Sequence, residues 1–400
     1  MPGLPSYPTG FRAAPPPRAP EPPPPSDAIP LPPSPAAEQE PPAPRLTPEE
    51  AAQLAFRLDR FMVPLVLALA FLLACFAISN SDFFMHLATG RFLADSFRQG
   101  QFQNLFGHEP FSHTTEGVYW VNHSWLFDLI LYGLFLVVGG VGLVILKALV
   151  TMALAGVLLL IRRPGQSLWA PAACIGLAVL ALSPRLLFQP PVVSFLFLGV
   201  TLWLLTRRET GGPGVASCRH LWLLPLLFVL WVNMDSWFVL GPLTVALYLV
   251  GEWLQDSFGP ARAGPDAPPP LTPTPLPQGA GERGEGADER RTLVGVLVVG
   301  LLACLINPHH VRAFMVPPQL PLVGPASVLQ GDPGLQAAYA SPLQAIYFER
   351  HIGLSVAGMS YFALVLLSLV SFALNGGPGS SPEATGWRWW RGLLWLAFFL

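Results

Sequence analysis

Long apolar runs recur along the chain at 61–79, 124–161, 168–183, 192–206, 219–233, 237–254, 292–306, 354–374 and 389–400. A helix needs roughly 20 residues to cross a bilayer core, and flanking Trp, Tyr and Arg extend shorter runs to the interface. Charged residues make up 12% of the chain, about half the share of an average soluble domain. Apolar surface on this scale cannot be hidden in one core. The composition therefore predicts an all-α polytopic membrane protein. A formal net charge of −2 gives no reason to expect a nucleic-acid partner. The Cys residues at 75, 174, 218 and 304 have no metal-binding spacing and predict free, buried thiols.

Residues 1–48 hold 19 of the 46 Pro. Such a segment buries too little to offset its ordering entropy, so a disordered cytoplasmic tail is expected. Thr47 and Glu50 then stand at the spacing of a capping box, predicting a helix over about 48–59 at the interface. The first part of the membrane domain would cover 49–254, with an outer loop at 80–138. Residues 255–291, rich in Pro and Gly, read as a flexible cytoplasmic linker. The second part would cover 292–400 and ends inside an apolar run, as a truncated chain would.

The run 124–161 is too long for one simple crossing, and Gly139-Gly140 is where it can break. Arg positions choose between one crossing and two. With the amino terminus cytoplasmic and one crossing, 16 of the 21 Arg face inside and 5 outside; with two, the split becomes 8 to 13. Excess positive charge belongs inside. Residues 124–138 are thus expected to lie along the outer surface and 141–161 to cross.

That topology puts the polar stretch 80–125 outside. It carries Asp82, His86, His108, Glu109, His113, Glu116 and His123. Asp82 and His86 are four apart and share a face of a helix expected at 83–97. A carboxylate there can deprotonate a hydroxyl, or hold a divalent metal with His86; alternatively, Ser81 or Asp82 merely caps the helix. Glu109, His113 and His123 bracket a turn at Glu116-Gly117, as a binding loop or as mutually satisfied polar groups. Asp128 reads as the wetted face of the surface helix.

Further along, Arg185 sits in a tight outer loop and suits a phosphate, unless it only snorkels. Asn233 and Asp235 join two crossings, and Asn307-Pro308-His309-His310 ends another. Lys147 is a charge within an apolar run, which makes it a functional candidate by default.

Taken in order, these motifs resemble the bacterial relatives of dolichyl-phosphate-mannose-protein mannosyltransferases, which have the glycosyltransferase C-type (GT-C) fold. The likeness rests on Asp82-Phe83-Phe84-Met85-His86-Leu87-Ala88-Thr89-Gly90, then Glu109-Pro110-Phe111-Ser112-His113-Thr114, then Trp120-Val121-Asn122-His123-Ser124-Trp125-Leu126. Arg185–Pro190, Trp231-x-Asn233 and Asn307-Pro308 continue it. The resemblance implies a GT-C-like helical bundle with juxtamembrane helices in its first outer loop. It also implies a polyprenyl-phosphate sugar donor, Asp82 as catalytic base assisted by His86, and Arg185 at the lipid phosphate. Glu109, His113, His123, Asn233, Asp235 and Asn307 would line the substrate site. Two departures bear on that site. Glu109 stands where relatives usually have Asp, and Asn233-Met234-Asp235-Ser236 stands where they often have Asn-x-His-Gly.

The expected activity is sugar transfer at the outer face of a bacterial plasma membrane. No cofactor is named by the sequence, and a divalent metal stays open. Two other readings stay open: a transporter or flippase that binds a lipid-linked glycan, and a membrane subunit whose Pro-rich tail recruits a cytoplasmic partner.

Overall fold

The computed structural model describes residues 47–78, 80–102, 105–107, 110–111, 119–162, 167–210, 218–258, 281–315, 347–348, 353–375 and 388–399. The expected disordered tail lies almost wholly outside them. The chain divides into Met1–Ala51 and Ala52–Leu400. In the first unit the capping box forms as the sequence predicts. Glu50 N–H donates to Thr47 Oγ1 at 3.3 Å, and Thr47 N–H donates to Glu50 Oε2 at 2.9 Å.

The regular secondary structure of the described residues is helical, apart from one isolated bridge between Gly107 and Trp120. In chain order the helices are α1 Pro48–Ala74, α2 Ser81–Arg98, α3 Trp125–Leu160, α4 Trp169–Leu182, α5 Pro190–Thr210, α6 Leu223–Val232, α7 Leu240–Phe258, α8 Gly281–Ala303, α9 Val356–Asn375 and α10 Trp389–Phe399. Among the described residues, four helical stretches are long and apolar enough to cross a membrane: Trp125–Leu160, Pro190–Arg207, Ser236–Gln255 and Val356–Leu374. Their outward faces carry large bare apolar side chains, such as Val137 at 82% exposure and Leu374 at 75%. Water would not tolerate such faces on this scale; lipid does. The protein is membrane-embedded.

Several element boundaries differ from the sequence reading. The predicted interfacial helix and the first apolar run form one rod, α1, which stops at Ala74 rather than 79. Helix α8 begins at Gly281, inside the stretch read as a linker. Once an apolar segment is helical, adding each further residue is cheap, and Glu, Asp and Arg at 288–291 continue it. Cys75 and Cys174 are free but exposed, not buried; only Cys304 of the described thiols is buried. Cys75 lies just past the end of α1, and Cys174 faces out from α4.

Helix α3 is broken where the two glycines predict. Gly139 has φ 65° and ψ −173°, outside the helical region, while the helix resumes beyond it. A side chain there would be strained by the positive φ.

Two packed clusters hold the bundle. One joins α1, the second half of α3, and α4, and it is built on small residues. Ala70, Ala74, Ala148 and Ala155 are fully buried in it beside Val66, Leu159 and Ile175. Close approach through small side chains is how helices associate where lipid supplies no hydrophobic drive. The other surrounds Phe228, Trp231 and Phe238, between α5, α6, α7 and α8. Buried hydroxyls in these helices turn back on their own backbone. Thr151, Thr201 and Thr244 donate to the carbonyls of Lys147, Phe197 and Leu240. That removes the cost of burying an unpaired polar group.

Candidate functional site

The site is assembled on three buried rings. Phe188, in the turn after α4, lies 6.4 Å from Phe83 of α2 in a stacked arrangement and 5.9 Å from Phe127 of α3, edge to face. Each of the three is 4% exposed. This apolar footing fixes the start of α2, the start of α3 and the 183–189 turn against one another. Polar side chains adjoining the rings then meet.

The first meeting is at Asp82. It lies in the first turn of α2, where a carboxylate is favoured by the helix dipole, and it is exposed. Residue 80, not Ser81 or Asp82, takes the N-cap position, and it makes no side-chain capping bond. Asp82 Oδ2 accepts from Gln189 Nε2 at 2.8 Å. Arg185 belongs to that same turn and is exposed.

The second meeting is at His86. One helical turn from Asp82, it points to a different partner: its Nδ1 lies 2.7 Å from Asp128 Oδ1. Asp128 is 2% exposed. The sequence reading of Asp128 as a wetted surface residue is therefore wrong. The segment 125–138 is apolar all round and offers a carboxylate no polar face to join. Asp128 is held instead by His86 and by Asn122, whose Nδ2 donates to Oδ2 at 3.2 Å. Asn122 Oδ1 in turn accepts the Ser124 N–H at 2.9 Å. Gly90 makes this possible: it abuts the Asp128 carbonyl, and a Cβ there would overlap it.

A third polar set ties the loop 119–126 to the ends of α6 and α8. Asn233 is its hub. Its Oδ1 accepts from Trp125 Nε1 at 2.8 Å, and its Nδ2 donates to the carbonyls of Val229 at 2.7 Å and Ile306 at 2.8 Å. Its own carbonyl accepts the Leu126 N–H at 3.1 Å. His123 Nε2 donates to the Ala313 carbonyl at 2.9 Å. Burial holds His123 below the usual imidazole range. Asn307 closes its own turn, accepting the His309 N–H at 2.7 Å and donating to the Cys304 carbonyl at 2.8 Å. His309 Nδ1 and the Tyr119 hydroxyl lie 3.2 Å apart. Burial first, then neighbouring His123, pushes His309 down to about 4, so its ring is neutral near pH 7.

Asp235 lies just behind this hub, 4% exposed. It accepts from the Ser194 hydroxyl, which accepts from Trp231 Nε1 at 2.7 Å. Burial raises its carboxyl to about 6 against hydrogen bonds that lower it. The raised folded value, against 3.8 for the free residue, fixes the sign of a pH effect. The native chain holds this proton more tightly. Stability should be unaffected below about pH 4, fall as pH rises to about 6, and carry a constant penalty above, on the order of 3 kcal/mol. Asp235→Asn should therefore raise the unfolding temperature in detergent at about pH 8 and not at about pH 4. Equal effects at both would refute this.

His86, His123, Asn233 and Asn307 are thus drawn into one bonded region through the 119–128 segment, and Asp82 is bonded through Gln189 to the turn that carries Arg185. Glu109 and His113 lie outside the described residues. The sequence reading missed Asp128 and gave no weight to Asn122 or Gln189. Among the described residues, no three His, Cys, Asp or Glu side chains converge as metal ligands. No protein-family model, curated protein or solved structure matches the chain.

Proposed function

We propose that this membrane protein is a GT-C-type glycosyltransferase that moves a sugar from a polyprenyl-phosphate donor to a hydroxyl acceptor at the outer face of a bacterial plasma membrane. The observation that carries the reading is the contact between Asp82 and the 183–189 turn. An exposed carboxylate at the start of α2 is tethered through Gln189 to the turn that bears Arg185. Base and anion-binding group are the two things such a transfer needs side by side.

In that reaction the acceptor oxygen attacks the anomeric carbon opposite the phosphate. Asp82 takes the hydroxyl proton as the new C–O bond forms. The bond from the anomeric carbon to the phosphate oxygen breaks, and polyprenyl phosphate leaves toward the Arg185 guanidinium. The donor's lipid tail stays in the bilayer throughout.

The rival reading, a transporter or glycan-binding membrane protein, would draw on the intramembrane charge. Lys147 is fully buried. Its Nζ donates to the Phe76 carbonyl at 3.3 Å and sits 3.4 Å from the Phe76 ring centroid. Those contacts suit a structural tie between α3 and the end of the first rod. Lys147→Met should therefore fold and transfer sugar within about threefold of wild type, since an apolar isostere commonly replaces a buried charge at little cost. Loss of function with intact folding would favour transport. The direct test is a transfer assay in membranes with a panel of labelled polyprenyl-phosphate sugars. No transfer from any member of the panel would end the enzyme reading.

A further inference from the structure

We infer that Asn122 and Asp128 act as positioning residues that hold a ring proton of His86 on Nδ1, so that the ring in its neutral form leaves Nε2 as a hydrogen-bond acceptor for a substrate hydroxyl. The tautomer follows from the direction of a bonded chain that starts at the backbone. An amide N–H can only donate, so the Ser124 N–H orients Asn122 with Oδ1 toward it, at 2.9 Å. That leaves Asn122 Nδ2 aimed at Asp128, at 3.2 Å from Oδ2. The ionised Asp128 carboxylate accepts on both oxygens, so His86 Nδ1, 2.7 Å from Oδ1, carries the proton. Asn122 is 7% exposed and Asp128 2%, so water does not stand in for either partner. The ring is braced edge to face on Phe127, with centroids 5.7 Å apart.

Nε2 is then the open valence. Among the described residues the hydrogen bond of the His86 ring runs through Nδ1, and the side chain keeps 14% of its surface. It stands one turn along α2 from Asp82, a spacing at which two side chains reach the same small molecule. A bare imidazole nitrogen takes a hydroxyl proton in a hydrogen bond and refuses a carbonyl or an ether. The hydroxyl can belong to the donor sugar or to the acceptor. The assignment of that hydroxyl rests on the glycosyltransferase reading; the tautomer does not.

The test reverses the chain and then restores it. In Asp128→Asn, the Asn122 amide NH2 still points at position 128 and demands an oxygen. The new side chain must therefore turn its own NH2 to His86, which forces Nδ1 to accept and moves the ring proton to Nε2. In Asn122→Asp/Asp128→Asn, the Ser124 N–H and the amide introduced at position 128 both donate to the new carboxylate. The amide oxygen at position 128 then faces His86, and the original tautomer returns at unchanged net charge.

Nitrogen-15 spectra of histidine-labelled protein, at a pH where the ring is neutral, read the tautomer directly. His86→Gln assigns the signal. We expect a protonated Nδ1 in wild type, a protonated Nε2 in Asp128→Asn, and recovery in the double variant. In transfer assays, the KM for the substrate that bears the hydroxyl should rise about tenfold in Asp128→Asn, as for one lost hydrogen bond. It should return within about threefold in the double variant. Varying donor and acceptor separately says which of them carries the hydroxyl. A wild-type ring protonated on Nε2, or a double variant that stays reversed, overturns the tautomer assignment. A reversed tautomer with both KM values unchanged overturns the hydroxyl site. Absence of all transfer by wild type, with the spectra as expected, sinks the glycosyltransferase reading and the hydroxyl assigned through it, and leaves the tautomer standing.

Discussion

Asp82→Asn should leave the protein folded and reduce sugar transfer by about 10²–10⁴-fold, the usual contribution of a positioned base. The amide has nearly the shape of the carboxylate, and its oxygen still accepts the Gln189 amide proton that Asp82 takes at 2.8 Å. Asp82 is also exposed, so removing its charge leaves no buried partner unsatisfied. The substitution thus separates chemistry from structure. Transfer should fall through kcat, while donor KM stays within a few-fold. A variant with normal kcat would remove Asp82 from the reaction. A variant with reduced yield and an altered unfolding temperature would instead make it a structural residue.

The second large effect is expected at Gly90. A Cβ there would overlap the Asp128 carbonyl and lie 2.9 Å from Tyr132 Cβ. Both obstacles are backbone or backbone-proximal, so no flexible side chain can swing away. Gly90→Ala must push α2 from α3, at a cost of about 1–3 kcal/mol or more for overpacking. It would also pull His86 from Asp128, and a displacement near 1 Å can cost about 100-fold in rate. Gly133→Ala is the control. It lies on α3 with open space around it, and should be neutral or stabilising by up to about 1 kcal/mol through helix propensity. Thermal unfolding in detergent measures both. Equal effects at the two glycines would mean that the tight helix contact is not what Gly90 supplies.

The membrane class of the protein was legible because apolar length is a property of contiguous sequence. The break in α3 was legible too, since Gly139 supplies a backbone conformation that few other residues adopt. Helix α2 came within a turn of its observed start for a similar reason: polar residues follow an apolar run. Asp128 was misread because its partner lies 42 residues upstream on another helix. A lone Asp on a helix carries no mark of burial in its own neighbourhood. The mark lay in the absence of other polar residues from 125 to 138, which denies it a wetted face. Gln189 was hidden in the same way, since only the packing of Phe188 on Phe83 and Phe127 delivers it to Asp82. The sequence identified the chemical groups of the site but not which would touch.

The Asn233 amide joins residues 125, 229 and 306, drawn from three separate stretches of the chain. A ribosome releases them in that order, and the last arrives only once α8 has been made. Until then Asn233 lacks its Ile306 partner and the loop lacks the His123 bond to the Ala313 carbonyl. A nascent chain stalled ahead of residue 306 would carry the Asp82 carboxylate but not the fully latched loop, so this region takes its final form only after α8 has been made.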